Sequence, residues 1–224
     1  MSDSYHQNNN EFSIYKLRHF YKNKYLVSPF STKRYYLSYN YQFKCLWFRT
    51  YKVASRTINQ HFLDNTPKNK YIYGDSTGYC PTDFKDYVKF AFVRNPEERF
   101  ISCWKDKVLN RDFYQFGTEL HEEMKVLTNF ISWVEKQDIT HSSDAHLRTQ
   151  HSLIDIENLD FLGRFENFNS DFKQLANRIG MPIKEVHSKN RTRPRPIKIL
   201  AADRQRIQSF YINDYHAFYP NLLL

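Results

Sequence analysis

The 224-residue chain has little glycine and little cysteine, five and three residues respectively. Its loops are therefore built almost without glycine, and the GxxxxGK[ST] pattern of a glycine-rich phosphate loop is absent. Cys45, Cys80 and Cys103 are odd in number and show no metal-ligand spacing, which excludes a disulfide framework and a cysteine metal site. Cys45 falls on an expected strand and Cys103 on an expected helix, so both read as core thiols. No apolar run approaches the roughly 18–20 residues that cross a bilayer. Residues 1–10 are polar, with no signal-peptide core, so the expectation is a cytoplasmic protein with no membrane span.

What the chain does have is aromatic and basic. Hydrophobic residues make up 41% and aromatics 17%, with 17 Tyr and 19 Phe, which places it among globular rather than disordered chains. The formal net charge of +9 calls for a polyanionic partner: a nucleotide, an acidic glycan or a nucleic acid. Charge alone does not choose among them. Residues 1–38, Asn-rich and then Tyr-rich, are expected to form a partly ordered N-terminal arm, and residues 39–224 a single domain.

One stretch organises the rest. Lys89-Phe90-Ala91-Phe92-Val93 is an apolar run of strand length, and Arg94-Asn95-Pro96-Glu97-Glu98 turns it into a helix. Asn95 suits the N-cap, Pro96 the first helical position, and the two glutamates the positive end of the helix dipole. That helix is expected over Glu97 to Val108, with Phe100, Ile101, Trp104 and Val108 inward. Arg94 then sits at the carboxyl end of a buried strand, where open α/β sheets bind ligands and helix starts bind anions. A local ion pair of Arg94 with Glu97 or Glu98 is the plain alternative.

Upstream, Tyr41–Arg49 reads as the first core strand, and Thr50–Thr57 as a short turn into a helix from Ser55 to Phe62. A strand, a turn carrying Lys52, and Ser55 and Thr57 at a helix start make the layout of a phosphate cradle. Asp64–Asp86 is a loop-rich connector whose Asp75, Asp83 and Asp86 are either surface acids or acceptor-facing. Downstream come an amphipathic helix over Thr118–Gln137, a strand over Leu159–Phe165, a helix from about Ser170 stopped at Gly180-Met181-Pro182, and a last helix over Ala201–Tyr215. Strands alternating with helices predict an α/β domain with a mainly parallel central sheet flanked by helices on both faces.

Arg94-Asn95-Pro96-x-x-Arg99-x-x-Ser102 behind that strand resembles the 3′-phosphate-binding motif of the sulfotransferases that use 3′-phosphoadenosine 5′-phosphosulfate (PAPS), in its carbohydrate, Golgi-type branch. Lys52-Val53-Ala54-Ser55-Arg56-Thr57 resembles the 5′-phosphosulfate loop of the same family, about forty residues earlier and in the right order. Two departures stand there: Tyr51 where the family usually has Pro, and Arg56 where a small or hydroxylic residue is usual. Asp144-Ala145-His146-Leu147-Arg148-Thr149-Gln150, Gly163-Arg164-Phe165-Glu166-Asn167 and Tyr211-x-x-Asp214-Tyr215-x-x-Phe218 are further family-like phrases, so the likeness runs from about residue 43 to 219.

The resemblance implies a P-loop-like three-layer fold and sulfuryl transfer from PAPS to a hydroxyl or amine of a carbohydrate, with adenosine 3′,5′-bisphosphate as product, no metal and no nucleic-acid partner. It implies Arg94 and Ser102 on the 3′-phosphate; Lys52 at the sulfuryl end; and Ala54, Ser55, Arg56 and Thr57 on the 5′-phosphate. Arg191 and Arg193, in the basic loop Lys189–Pro196, become cofactor contacts, and the last helix serves packing. His146 and Asp83 are rival general bases. Two other functions stay open: a P-loop kinase, which would need a glycine-rich loop and a Mg²⁺-binding acid behind a strand, neither of which is found; and a nucleic-acid or polyanion-binding module using the Arg191–Arg195 loop.

Overall fold

A computed structural model describes residues 14, 16–183, 197 and 199–223. The chain divides into two compact units. The first takes in the described residues of Met1–Thr50, Ala54–Phe92 and Leu153–Val186; the second, those of Tyr51–Val53, Val93–Ser152 and His187–Leu224.

The first unit is built on a five-stranded sheet in the order β3-β1-β2-β4-β5, from β1 (Tyr35–Asn40), β2 (Cys45–Phe48), β3 (Tyr71–Thr77), β4 (Val88–Val93) and β5 (Phe161–Arg164). This is the expected α/β class, and its sheet is mixed. β2 and β4 pair in parallel, with Trp47 opposite Phe90, whereas β1 pairs antiparallel with both β2 and β3. β1 begins inside the segment expected as an arm, and the expected Tyr41–Arg49 strand is a turn followed by β2. The reason is local. The Asn40 side chain accepts hydrogen bonds from the Gln42 and Phe43 amides, and Lys44 takes φ 44°, so the chain reverses before Cys45. The connector likewise contains β3, whose Tyr71–Thr77 run completes the antiparallel edge.

Aromatic side chains fill both faces of the sheet. On one, Trp47 stacks on Phe90 with centroids 6.0 Å apart, Phe62 of α1 (Ser55–Asn65) packs on both, and Phe92 meets Phe168 and Phe172 of α6 (Phe168–Ile179). On the other, Phe48 and Tyr35 meet Tyr79, and Tyr39 meets Phe84, against which His19 of the helical segment Lys16–Val27 packs at 4.8 Å. Each such pair contributes about 0.5–1.5 kcal/mol beyond its buried area. Helix α6 (Phe168–Ile179) stops where expected, on Gly180 at φ 68°.

The second unit is helical. It holds α2 (Pro96–Trp104) with a wider helical turn through Leu109, α3 (Thr118–Met124), α4 (Leu127–Val134), α5 (Gln150–Leu153), α7 (Ala201–Phe210) and α8 (Ile212–Phe218). Two helices expected to be continuous are broken. Extended Val126 parts α3 from α4, and Tyr211, at ψ 22°, parts α7 from α8 as its buried hydroxyl donates to the Leu147 carbonyl at 2.7 Å. Among the described residues no helix is long and apolar enough to cross a membrane.

Gly163 on β5 shows why a family-like phrase begins with glycine. A Cβ there would stand 2.3 Å from the Phe92 ring. Gly163→Ala is expected to lower stability by about 1–3 kcal/mol, the usual cost of overpacking, read from urea unfolding. Phe92→Leu in the same chain should recover part of the loss.

Candidate active site

Every distance that defines the candidate site lies within the second unit. At the end of β4 the peptide of Arg94 is clamped from both sides by one side chain: the Arg94 amide donates to Gln150 Oε1 and Gln150 Nε2 donates to the Arg94 carbonyl, each at 2.8 Å. Gln150 is fully buried and is itself held by Asp214 of α8, which accepts from the Gln150 amide at 2.8 Å and the His151 amide at 2.7 Å. Burial holds the Asp214 carboxyl above its ordinary value, although the nearby Arg99 charge and these amide bonds oppose it. The terminal phrase expected to serve packing therefore caps α5 and, through it, fixes the backbone of Arg94.

The Arg94 guanidinium donates to the Lys52 carbonyl at 3.4 Å and pairs with Glu98 at 3.3 Å. So the plain alternative is realised in part, with Glu98 as partner, while the same guanidinium reaches the Lys52 loop. Asn95 caps α2 as expected, accepting from the Glu98 amide at 3.2 Å. Ser102 follows Glu98 by four residues, half-buried on the same helical face.

Lys52 stands at φ 68° and Ala54 at φ 64°, two left-handed non-glycine residues in one short loop. Such positions cost of order 1–3 kcal/mol each and cluster where function over-determines the backbone. The Lys52 ammonium pairs with Asp106 at 3.0 Å, and Lys107 and Arg111 approach the same carboxylate at 3.9 and 3.8 Å. Burial pushes Asp106 up, but these cations, Lys52 foremost, hold it below the usual carboxylate range.

His146 is the other candidate group. Its ring meets Tyr51 at 4.5 Å and Phe113 at 5.6 Å, and its Nδ1 lies 2.8 Å from Asp144 Oδ1. Burial lowers the imidazole below its ordinary 6.5, assisted by the Lys107 and Lys52 charges and opposed by Asp144. Burial raises Asp144, but its bond to His146 brings it below its ordinary value, so it is ionised. A neutral imidazole beside a carboxylate gives Nδ1 the proton and leaves Nε2 as the basic atom.

The match to known proteins covers this whole arrangement. A model of the Sulfotransferase family matches residues 35–220, which include both strand-to-helix loops, the His146 segment and Asp214. The chain belongs to the sulfotransferase family. It is 27% identical over 172 residues to human carbohydrate sulfotransferase 9, covering 61% of this chain and 38% of that protein. It is also 27% identical over 116 residues to zebrafish (Danio rerio) carbohydrate sulfotransferase 14, covering 44% of this chain and 31% of that one. The chain thus spans well under half the length of these relatives, and no solved structure matches it.

Of the residues expected from this sulfotransferase sequence, Lys52, Arg94, Ser102 and His146 all fall in the second unit. Ala54, Ser55, Arg56 and Thr57 belong to the first, joined to Lys52 by the chain itself. They open α1 with no side-chain cap and no acid in the first turn, leaving that helix start suited to an anion, and Arg56 is exposed. Asp83 also belongs to the first unit, where Lys22 of the N-terminal segment donates to it at 2.6 Å. Arg191 and Arg193 lie outside the described residues. Sequence reasoning missed Arg99, Asp106 and the clamp made by Gln150 and Asp214. Arg99 and Gln150 stood inside quoted motifs, but nothing local indicated that one is buried in unit 2 and the other grips a peptide 56 residues away.

Two outcomes follow. His146 should titrate by NMR below pH 6.5, and Asp144→Asn, which removes the one group raising it, should move that titration lower still. Protonation of a buried neutral histidine disfavours the fold, so its contribution to stability is present above 6.5 and is lost as pH falls through the folded pKa. Glu98→Gln, which removes the partly exposed ion pair to Arg94, is expected to lower stability by about 0.2–1 kcal/mol, read from urea unfolding.

Proposed function

We propose that the chain transfers a sulfuryl group from PAPS to a hydroxyl of a carbohydrate. The observation that carries this reading is the pairing of an anchored arginine with a lysine loop: the doubly clamped Arg94, its guanidinium on the Lys52 carbonyl, gives two cations fixed relative to one another by backbone bonds. The carbohydrate sulfotransferases to which the chain is similar, and the family match itself, support the reaction class.

PAPS supplies an activated sulfuryl group whose leaving atom is a phosphate oxygen. Arg94 and Ser102 hold its 3′-phosphate, and the amides and hydroxyls of Ser55 and Thr57, with Ala54 and Arg56, hold the 5′-phosphate. Lys52 offsets the charge that grows on the bridging oxygen as the S–O bond breaks. His146, neutral and oriented through Nδ1 by Asp144, takes the acceptor's proton at Nε2. Asp83 is left out of this assignment because Lys22 occupies its carboxylate. Arg191 and Arg193 remain candidate cofactor contacts.

Two variants separate the roles. Arg94→Ala should weaken bisphosphate binding roughly 30- to 1000-fold and abolish the preference for adenosine 3′,5′-bisphosphate over adenosine 5′-phosphate, as expected for charge-assisted bonds of about 1.5–3 kcal/mol each. Lys52→Ala should keep that preference and lose turnover, because its charge matters mainly in the transition state. Calorimetry with both nucleotides, beside a glycan screen with radiolabelled donor, decides it. An Arg94→Ala protein that still discriminates between the nucleotides sinks the assignment.

A further inference from the structure

Arg99 on α2 is fully buried, and nothing above gives it a role. Its Nε donates to the carbonyl of Tyr51 at 3.0 Å and its Nη2 to the carbonyl of Ala145 at 3.3 Å. Tyr51 is the residue before Lys52, and Ala145 the residue before His146. One planar guanidinium thus spans the backbone positions just before the two groups assigned to proton transfer and to charge stabilisation. The side chains repeat the link, since the Tyr51 ring lies on the His146 ring at 4.5 Å. The approach to Lys52 is thus fixed by an aromatic contact and a carbonyl bond.

A buried arginine is costly unless its donors are met and its charge is balanced. Its Nε and Nη2 are met by the two carbonyls, while its Nη1 is buried without a hydrogen-bond partner; its charge opposes the rise that burial gives the carboxyl of Asp214, the residue that caps α5 and orders Gln150. Arg99 reaches no solvent.

We propose that Arg99 is a positioning residue that sets the Lys52 loop against His146, holding the ammonium and the basic Nε2 in the register that transfer requires. The proposal rests on the roles given above to Lys52 and His146. Lysine cannot replace it, because a single ammonium on a flexible stem does not reproduce a two-pronged planar fork. A displacement of about 1 Å in such a pair costs on the order of 100-fold in rate.

The test compares wild type, Arg99→Lys and Arg99→Ala, the last with and without methylguanidine. Three measurements are made: adenosine 3′,5′-bisphosphate affinity by calorimetry, the His146 titration by NMR, and donor turnover with the most active glycan from the screen. The groups facing His146 are Asp144, Tyr51, Phe113, Lys107 and Lys52, and none of them is altered. Arg99→Lys should bind the bisphosphate within about threefold of wild type, show a displaced His146 titration, and lose about 100-fold in kcat. Methylguanidine should restore the His146 titration and at least a tenth of the wild-type rate to Arg99→Ala.

An Arg99→Lys protein with wild-type titration and wild-type kcat overturns the proposal, as does an Arg99→Ala protein that methylguanidine leaves unchanged although bisphosphate binding shows it folded. The reading of the reaction fails differently, by a wild-type protein that turns over no donor. The NMR comparison then still decides whether Arg99 places His146.

Discussion

A carboxylate with no solvent around it must be satisfied by fixed donors, and Asp214 is that carboxylate in the second unit. Leaving a buried acceptor unsatisfied costs about 1–3 kcal/mol, more than a single surface contact returns. Asp214 meets the requirement by accepting the first two amides of α5, which fixes where α5 begins. That start fixes Gln150, whose amide side chain has one donor edge and one acceptor edge and uses both on the Arg94 peptide. The break between α7 and α8 belongs to the same constraint: an unbroken helix through Tyr211 would aim Asp214 elsewhere. The position of Arg94 is thus set by a residue 120 positions away, through groups none of which needs to touch a ligand.

The site's electrostatics follow from what is left over. Arg94 and Lys52 are each paired with an acid, Glu98 and Asp106, at partly exposed positions. Pairs of that kind stabilise by roughly 0.2–1 kcal/mol, whereas charge-assisted bonds to a phosphate contribute about 1.5–3 kcal/mol each. The acids therefore hold the cations in place weakly enough for a bound phosphate, as proposed above, to displace them. Lys107 and Arg111 around the same Asp106 leave that corner with a surplus of positive charge, in keeping with the basic balance of the chain.

What the sequence made legible was local chemistry. Asn95-Pro96-Glu97-Glu98 announced the start of α2, and the Asn95 cap is there; Gly180 announced the end of α6, and it stands left-handed. Apolar Phe90, Phe92 and Val93 announced a buried strand, and β4 is buried. What it hid was determined at a distance. The hairpin that replaces the Tyr41–Arg49 strand depends on an Asn40 turn and on pairing with β3, which lay in a segment that reads as loop. Arg99 looked like any motif arginine, because burial against two carbonyls 46 and 48 residues away leaves no trace in spacing. Asp214 looked like part of a packing helix for the same reason.

The scarcity of glycine then acquires a structural meaning. A sharp turn between a strand and a helix calls for positive φ, which glycine provides at no steric cost. Here Lys52 and Ala54 adopt it instead, at φ 68° and 64°. Left-handed side chains would relax to ordinary conformations unless neighbouring bonds forbid it. In the second unit those bonds are Arg99 on the Tyr51 carbonyl and Arg94 on the Lys52 carbonyl; in the first, the Thr50 hydroxyl donates to the Phe92 carbonyl just before the loop. Glycine would give the same turn with freedom to leave it. Non-glycine residues held by two arginines give a turn with one conformation and a lysine in the middle of it.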